Sequence, residues 1–140
     1  MLKVLCDMGH GDVLIIADAN FPGETIAKDT TYGKLIRCPG TTATELFDAI
    51  NRLFPLDIAY TDKPASVMQL TDGDKKRGME DPEIWKEFRE ILNKNYPGQD
   101  LGYIARMDFY DKARKAYAVI ETGEERIYGN LMLTKGCVVD

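Results

Sequence analysis

The sequence predicts an α/β protein: a three-layer α/β/α sandwich with a mixed, mostly parallel sheet. Apolar runs of strand length, such as Val13-Leu14-Ile15-Ile16-Ala17, show no alternation, which is the pattern of strands covered on both faces. Other segments carry apolar residues at helical spacing. The two kinds alternate along the chain, the order that builds a largely parallel sheet between helical layers. With 140 residues and no repeat, linker or low-complexity segment, the chain reads as one domain over residues 1–140.

Leu2 to Met8 reads as the last turns of a helix, with Gly9 as its C-cap. Val13 to Ala17 is the first strand and Leu35 to Arg37 a weak second one. Thr42-Ala43-Thr44-Glu45 fits a capping box, and Ala43, Leu46, Phe47, Ile50, Leu53 and Phe54 recur behind it at helical spacing. Pro55 ends that helix. Ala65 to Leu70 is a strand, followed by a polar loop from Thr71 to Gly78. Asp81 and Pro82 read as N-cap and first position of a helix whose apolar face is Ile84, Trp85, Phe88, Ile91 and Leu92. Leu101 to Ile104 is a strand and Met107 to Lys115 a short helix. Tyr117 to Glu121 and Leu131 to Thr134 are the last strands, close enough in sequence to pair antiparallel.

The net charge of −5 argues against nucleic acid or an anionic membrane as the main partner. Lys75-Lys76-Arg77, set beside Asp72 and Asp74, reads as a solvated loop. Cys6, Cys38 and Cys137 are odd in number and widely spaced, which suits neither a disulfide framework nor a zinc site. The N-terminus lacks the pattern of a signal peptide, and no stretch has the length of a membrane span. A cytoplasmic protein is the expectation.

His10 is the only histidine, and it stands between two glycines in Met8-Gly9-His10-Gly11-Asp12. Its side chain is the one whose unperturbed pKa lies near neutrality, and the bare backbone beside it leaves room for a ligand. A structural histidine bonded to a carbonyl is the plain alternative; proton chemistry fits the tight loop better. A metal role lacks ligands. Asp18 ends the first strand, where α/β folds place binding groups, although Asp18-Ala19-Asn20 is also good turn chemistry. Roughly 26 Å of extended strand separates His10 from Asp18. One small substrate cannot touch both unless the chain bends or a second subunit supplies one of them. Arg106 could clamp hydroxyls or a carboxylate, though surface arginines are so common that an ion pair is the favoured reading from local sequence alone. Tyr128, Gly129 and Asn130 join a phenol, bare backbone and an amide, a set suited to a polyol, or a turn opening the last strand. There is no phosphate loop and no nucleophile elbow.

Together Leu2-Lys3-Val4-Leu5, Met8-Gly9-His10-Gly11-Asp12, Asp18-Ala19-Asn20-Phe21-Pro22, Phe109-Tyr110-Asp111-Lys112-Ala113 and Tyr128-Gly129-Asn130 resemble the L-fucose mutarotase family, a sister of the D-ribose pyranases. The resemblance runs through almost the whole chain in order. Family members usually carry a further segment ahead of the helix at Leu2 to Met8. The resemblance implies a ring-shaped homodecamer with sites shared between subunits. It also implies a cofactor-free isomerase that interconverts the anomers of L-fucose. His10 resembles the family's proton donor, and Asp18, Arg106, Tyr128, Gly129 and Asn130 its sugar contacts.

Mutarotation needs a proton delivered to the ring oxygen and one removed from the anomeric hydroxyl. On this reading His10 shuttles the first, Asp18 or Tyr128 handles the second, and Arg106 and Asn130 hold hydroxyls. Two rivals remain at this level: a D-ribose pyranase-type mutarotase, and a sugar-binding or regulatory protein that recognises one anomer without converting it. Optical rotation of fresh α-L-fucose separates enzyme from binder, and comparing sugars separates the two enzymes.

Overall fold

In the computed structural model, which describes residues 1–139, six strands form one sheet in the order β2-β5-β1-β6-β3-β4. The strands are β1 (Val13–Ala17), β2 (Leu35–Cys38), β3 (Ala65–Met68), β4 (Gly102–Ile104), β5 (Ala118–Thr122) and β6 (Leu131–Thr134). β1 pairs parallel with β5, β5 with β2 and β3 with β4, whereas β6 lies antiparallel between β1 and β3. The sheet is therefore mixed and mostly parallel, with β6 alone running against the rest.

Helices cover both faces, as the unalternated strands require. Val4 and Leu5 of α1 (Leu2–Asp7) pack over Leu14, Ile16, Val67, Ile120 and Leu131. They share that face with Leu46 and Phe47 of α3 (Ala43–Ile50) and Trp85 and Phe88 of α5 (Glu83–Asn95). On the other face, Ile26 of α2 (Gly23–Ala27) and Phe109 and Ala113 of α6 (Arg106–Arg114) pack over Ile15, Ala17, Val119 and Met132. A further short helix, α4 (Asp72–Lys76), follows β3 and buries no residue. The capping box of α3 forms as its sequence predicts: Glu45 N–H donates to Thr42 Oγ1 and Thr42 N–H donates to Glu45 Oε2.

Several expectations are corrected. β5 and β6 do not pair, because residues 123–130 step across the end of β1 and lay β6 on its far side. The C-cap of α1 is Met8, in extended backbone, not Gly9. A side chain from far along the sequence supplies the cap: Lys135 Nζ donates to Leu5 O and Met8 O, each at 2.7 Å. The N-cap of α5 is Pro82, with no capping side chain, in place of Asp81. Thr71 to Gly78 is not simply loop, since Thr71 caps α4. The five-residue α2 follows turn chemistry at Asn20 to Pro22 and is too short to show a period.

This topology decides where a site can form. The carboxyl ends of β1, β3 and β4 and the amino end of β6 share one edge of the sheet. Asp18 follows β1, Arg106 opens α6 just after β4, and Asn130 precedes β6. His10 precedes β1 and belongs to the opposite edge.

Candidate active site

A cleft of about 310 Å³ opens at the carboxyl edge of the sheet. Asp18, Arg106, Tyr128 and Asn130 line it, together with Asn20, Phe21, Met68, Asp74, Tyr110 and Ile127. Open parallel sheets place ligand sites at this edge. Four residues singled out from the sequence thus meet in one place.

Asp18 is 2% exposed, yet its carboxylate is not bare. Asn20 N–H donates to Oδ1 at 3.0 Å and Gly129 N–H to Oδ2 at 3.1 Å. Asn130 completes the bracket, its Oδ1 accepting the Asp18 backbone N–H at 2.8 Å. Burial pushes the carboxyl above its ordinary value, and the two amide donors oppose that rise. Gly129 therefore enters the site through its backbone. A Cβ there would come to 3.0 Å from Arg126 O and Glu124 Cγ, so a larger residue would crowd the loop.

Tyr128 is the one non-glycine residue with positive φ, at 59°, among the described residues. Such left-handed backbone is uncommon for an aromatic residue and needs surrounding support. Trp85 supplies part of it: its Nε1–H donates to Tyr128 O at 3.1 Å, and the two rings meet edge to face at 6.2 Å. Upstream, Arg126 is held between Glu124 and Glu87, which fastens the loop to α5. The phenol of Tyr128 donates to Asp74 and accepts the Thr71 N–H at 3.2 Å. That contact, with a bond from the Thr71 hydroxyl, holds the Asp74 carboxyl below the usual carboxylate range. The Arg106 guanidinium lies 5.8 Å from the Tyr110 ring centre, across the cleft mouth.

His10 stands apart from all of these. It sits in the turn before β1, closed by Asp12 N–H to Gly9 O at 3.1 Å and Gly11 N–H to Lys135 O at 2.8 Å. Its Nε2 is 3.2 Å from Asp57 Oδ1, its side chain is 42% exposed, and its ring centre is 5.2 Å from that of Tyr60. Asp57 is buried and also accepts the Thr61 hydroxyl, at 2.7 Å. These contacts hold its carboxyl below the ordinary value, Thr61 first and His10 after it. The distance argument from the sequence agrees with this placement.

Sequence reasoning did not single out Asp57 or Asp74. Asp57 carries no local motif. Asp74 does have a signal, since Thr71-x-x-Asp74 has the spacing of a helix N-terminal capping pair. Among the described residues no group of three or more His, Cys, Asp or Glu could hold a metal, and no helix is long and apolar enough to cross a membrane.

An α/β/α sandwich with a carboxylate, an amide, a phenol and a guanidinium around a cleft at its strand ends has the build of a small-molecule-binding α/β domain. The chain belongs to the RbsD / FucU transport protein family, whose model matches residues 1–138. It is 42% identical over 137 residues to the fucose mutarotase of Homo sapiens, covering 97% of this chain and 86% of that one. The crystal structure of the fucose mutarotase from Streptococcus pneumoniae in complex with L-fucose matches with a TM-score of 0.85. The two are 40% identical, over 99% of this chain and 91% of that one. FucU from Bifidobacterium longum matches with a TM-score of 0.88 and 41% identity, over 99% and 92% of the two chains. The resemblance carried by the sequence motifs agrees with these findings.

Proposed function

We infer that this chain is a fucose mutarotase, an isomerase that interconverts the α and β anomers of L-fucose. The observation that carries the reading is the meeting of Asp18, Arg106, Tyr128 and Asn130 in one cleft of a chain about 40% identical to fucose mutarotases. Hydrogen-bonding groups of both senses line that cleft, which suits a ring of hydroxyls better than an anion or an apolar ligand.

The chemistry moves protons only and needs no cofactor. His10 delivers a proton to the ring oxygen as the bond from C1 to that oxygen breaks. Asp18 or Tyr128 takes the proton of the anomeric hydroxyl, giving the open aldehyde. Rotation about the C1–C2 bond and the reverse transfers close the ring on its other face. Arg106 and Asn130 hold hydroxyls, and the Gly129 amide keeps Asp18 in place.

His10 reaches the sugar from a second copy of the chain. The support is geometric: His10 and the cleft occupy opposite edges of the sheet. Exposed apolar side chains flank both, Ile58 and Tyr60 near His10, Met107 and Ile127 near the cleft. A head-to-tail contact between two different surfaces repeats until a ring closes. The homodecamer implied by the family resemblance is such a ring, and the cytoplasm is its proposed compartment.

The test uses L-fucose at equilibrium, with anomer exchange followed by NMR saturation transfer. The protein should accelerate exchange, and His10→Ala should slow it by about 10²–10⁴-fold. Exchange no faster than in buffer would overturn the reading in favour of a non-catalytic sugar binder.

A further inference from the structure

One carboxylate in the cleft has no part in the chemistry above. Asp74 sits on α4, a helix that contributes nothing to the core, and lines the same cavity as Asp18. Its Oδ2 accepts the Tyr128 hydroxyl and, at 3.0 Å, the Thr71 hydroxyl; its Oδ1 faces the Arg77 guanidinium. The Asp74 N–H donates to Thr71 Oγ1 at 3.2 Å, so both ends of this residue are tied down.

The consequence for Tyr128 follows from counting. A phenol oxygen has one proton to give and two lone pairs to offer. The proton is committed to Asp74, and one lone pair takes the Thr71 N–H. What remains for a ligand in the cleft that Tyr128 lines is a single lone pair. Tyr128 can therefore only accept from a sugar hydroxyl, unless its own proton moves first.

We propose that Asp74 is the positioning residue that makes Tyr128 the proton acceptor of the reaction, by holding the phenol's proton and taking it over when the sugar's arrives. The proposal rests on the mutarotase reading. In ring opening the anomeric O–H proton passes to Tyr128 Oη while the phenol proton passes to Asp74 Oδ2. The O–H electrons form the C1=O bond, and the C1–O bond to the ring oxygen breaks with a proton from His10. Asp74 ends protonated, Tyr128 neutral and His10 neutral. Ring closure returns every proton by the same route, so nothing is consumed.

This assigns the two carboxylates of the cleft different tasks. Asp18 already receives two backbone amides and binds; Asp74 has a hydroxyl to exchange with. Two cations face Asp74: Arg77 at the C-cap of α4 and Arg106 from α6. They favour the ionised form that the first step requires.

Asp74→Asn tests the idea, because the amide oxygen can still accept from Tyr128 and Thr71 but cannot take the proton. Anomer exchange of L-fucose should fall in kcat by about 10²-fold with KM within about threefold of the parent. The proton inventory in mixed H₂O and D₂O should become less curved, because one proton fewer is in flight. Tyr128→Phe should do the same, and the double variant should be no slower than either single one. Carboxyl NMR of Asp74 should show its titration moving upward in Tyr128→Phe, a readout independent of catalysis. If the wild-type protein accelerates exchange and Asp74→Asn keeps its kcat and proton inventory, the relay is overturned while the mutarotase reading stands. An Asp74 titration indifferent to Tyr128→Phe overturns it as well. A wild-type protein without exchange activity overturns the mutarotase reading and the relay with it.

Discussion

The two ends of β1 are built in opposite ways. At the carboxyl end Asp18 is buried, receives two backbone amides and faces a cleft whose loop is fastened by Trp85 and by the Glu87–Arg126–Glu124 ion pairs. At the amino end His10 is half out in solvent, beside the well-exposed Tyr60, with its Nε2 3.2 Å from Asp57 Oδ1. On the proposed function, one end is a binding surface and the other a presented functional group. Binding sites gain from rigid, desolvated polar groups, whereas a donated group must remain accessible until its acceptor arrives. On the proposed function, the difference means that one copy of the chain holds two halves of different sites.

That contrast is broken or sharpened first by kinetics. His10→Ala should lower kcat by about 10²–10⁴-fold with KM for L-fucose nearly unchanged, because the residue delivers a proton and contributes little binding. Asp18→Ala should act mainly on KM, weakening the sugar by about 10–100-fold through the loss of a charged hydrogen-bonding partner. Mixing the two impaired proteins at L-fucose well below the KM of Asp18→Ala and letting subunits exchange should raise activity above that of either alone. Random assembly at equal amounts rebuilds about a quarter of the shared sites, since each needs His10 from one parent and Asp18 from the other. No recovery in a mixture shown by mass spectrometry to have exchanged subunits would break the comparison.

The next effect concerns stability. Lys135, 9% exposed, holds the His10 end together from below: it donates to Leu5 O and Met8 O, and its ammonium lies 5.6 Å from the Phe54 ring centre. Lys135→Met keeps the apolar stem but orphans two carbonyls. A loss of about 1–3 kcal/mol in chemical denaturation is expected, with kcat falling more than KM rises as the turn carrying His10 loosens. An unchanged denaturation midpoint would show that α1 and its turn hold themselves.

How much of this the sequence revealed depends on whether the signal was local. His10 between glycines and Asp18 at the end of an apolar run are local patterns, and so are the α3 capping box and the apolar face of α5. The separation of His10 from Asp18 followed from strand rise alone. The place of β6 could not be read, because the partner of a strand is chosen by where its connection crosses, and residues 123–130 cross over β1. Yet that crossing is what lays Tyr128, Gly129 and Asn130 against Asp18. Asp57, Lys135 and Asp74 escaped for the same reason: their partners are His10, the end of α1 and Tyr128, all distant in sequence. Polar residues in a polar stretch look solvated until the fold supplies what they touch.

The smallest effect separates the two ends by sign. Burial raises the Asp18 carboxyl above its unfolded value, so the native state holds this proton more tightly than the unfolded chain does. Its contribution to stability is complete below the unfolded value, near 3.9, and is lost as pH climbs through the higher native value. Asp57 is shifted the other way by Thr61 and His10, so its contribution is present above the unfolded value and is lost as pH falls through the lower native one. Thermal melts of Asp18→Asn and Asp57→Asn against the parent, from acid to neutral pH, should therefore diverge. The deficit of Asp18→Asn should be largest in acid and shrink toward neutrality, while that of Asp57→Asn should grow. An Asp18→Asn deficit that stays flat with pH would mean that burial at the Asp18 end is offset by its amide donors, and the contrast of sign between the two ends would fall.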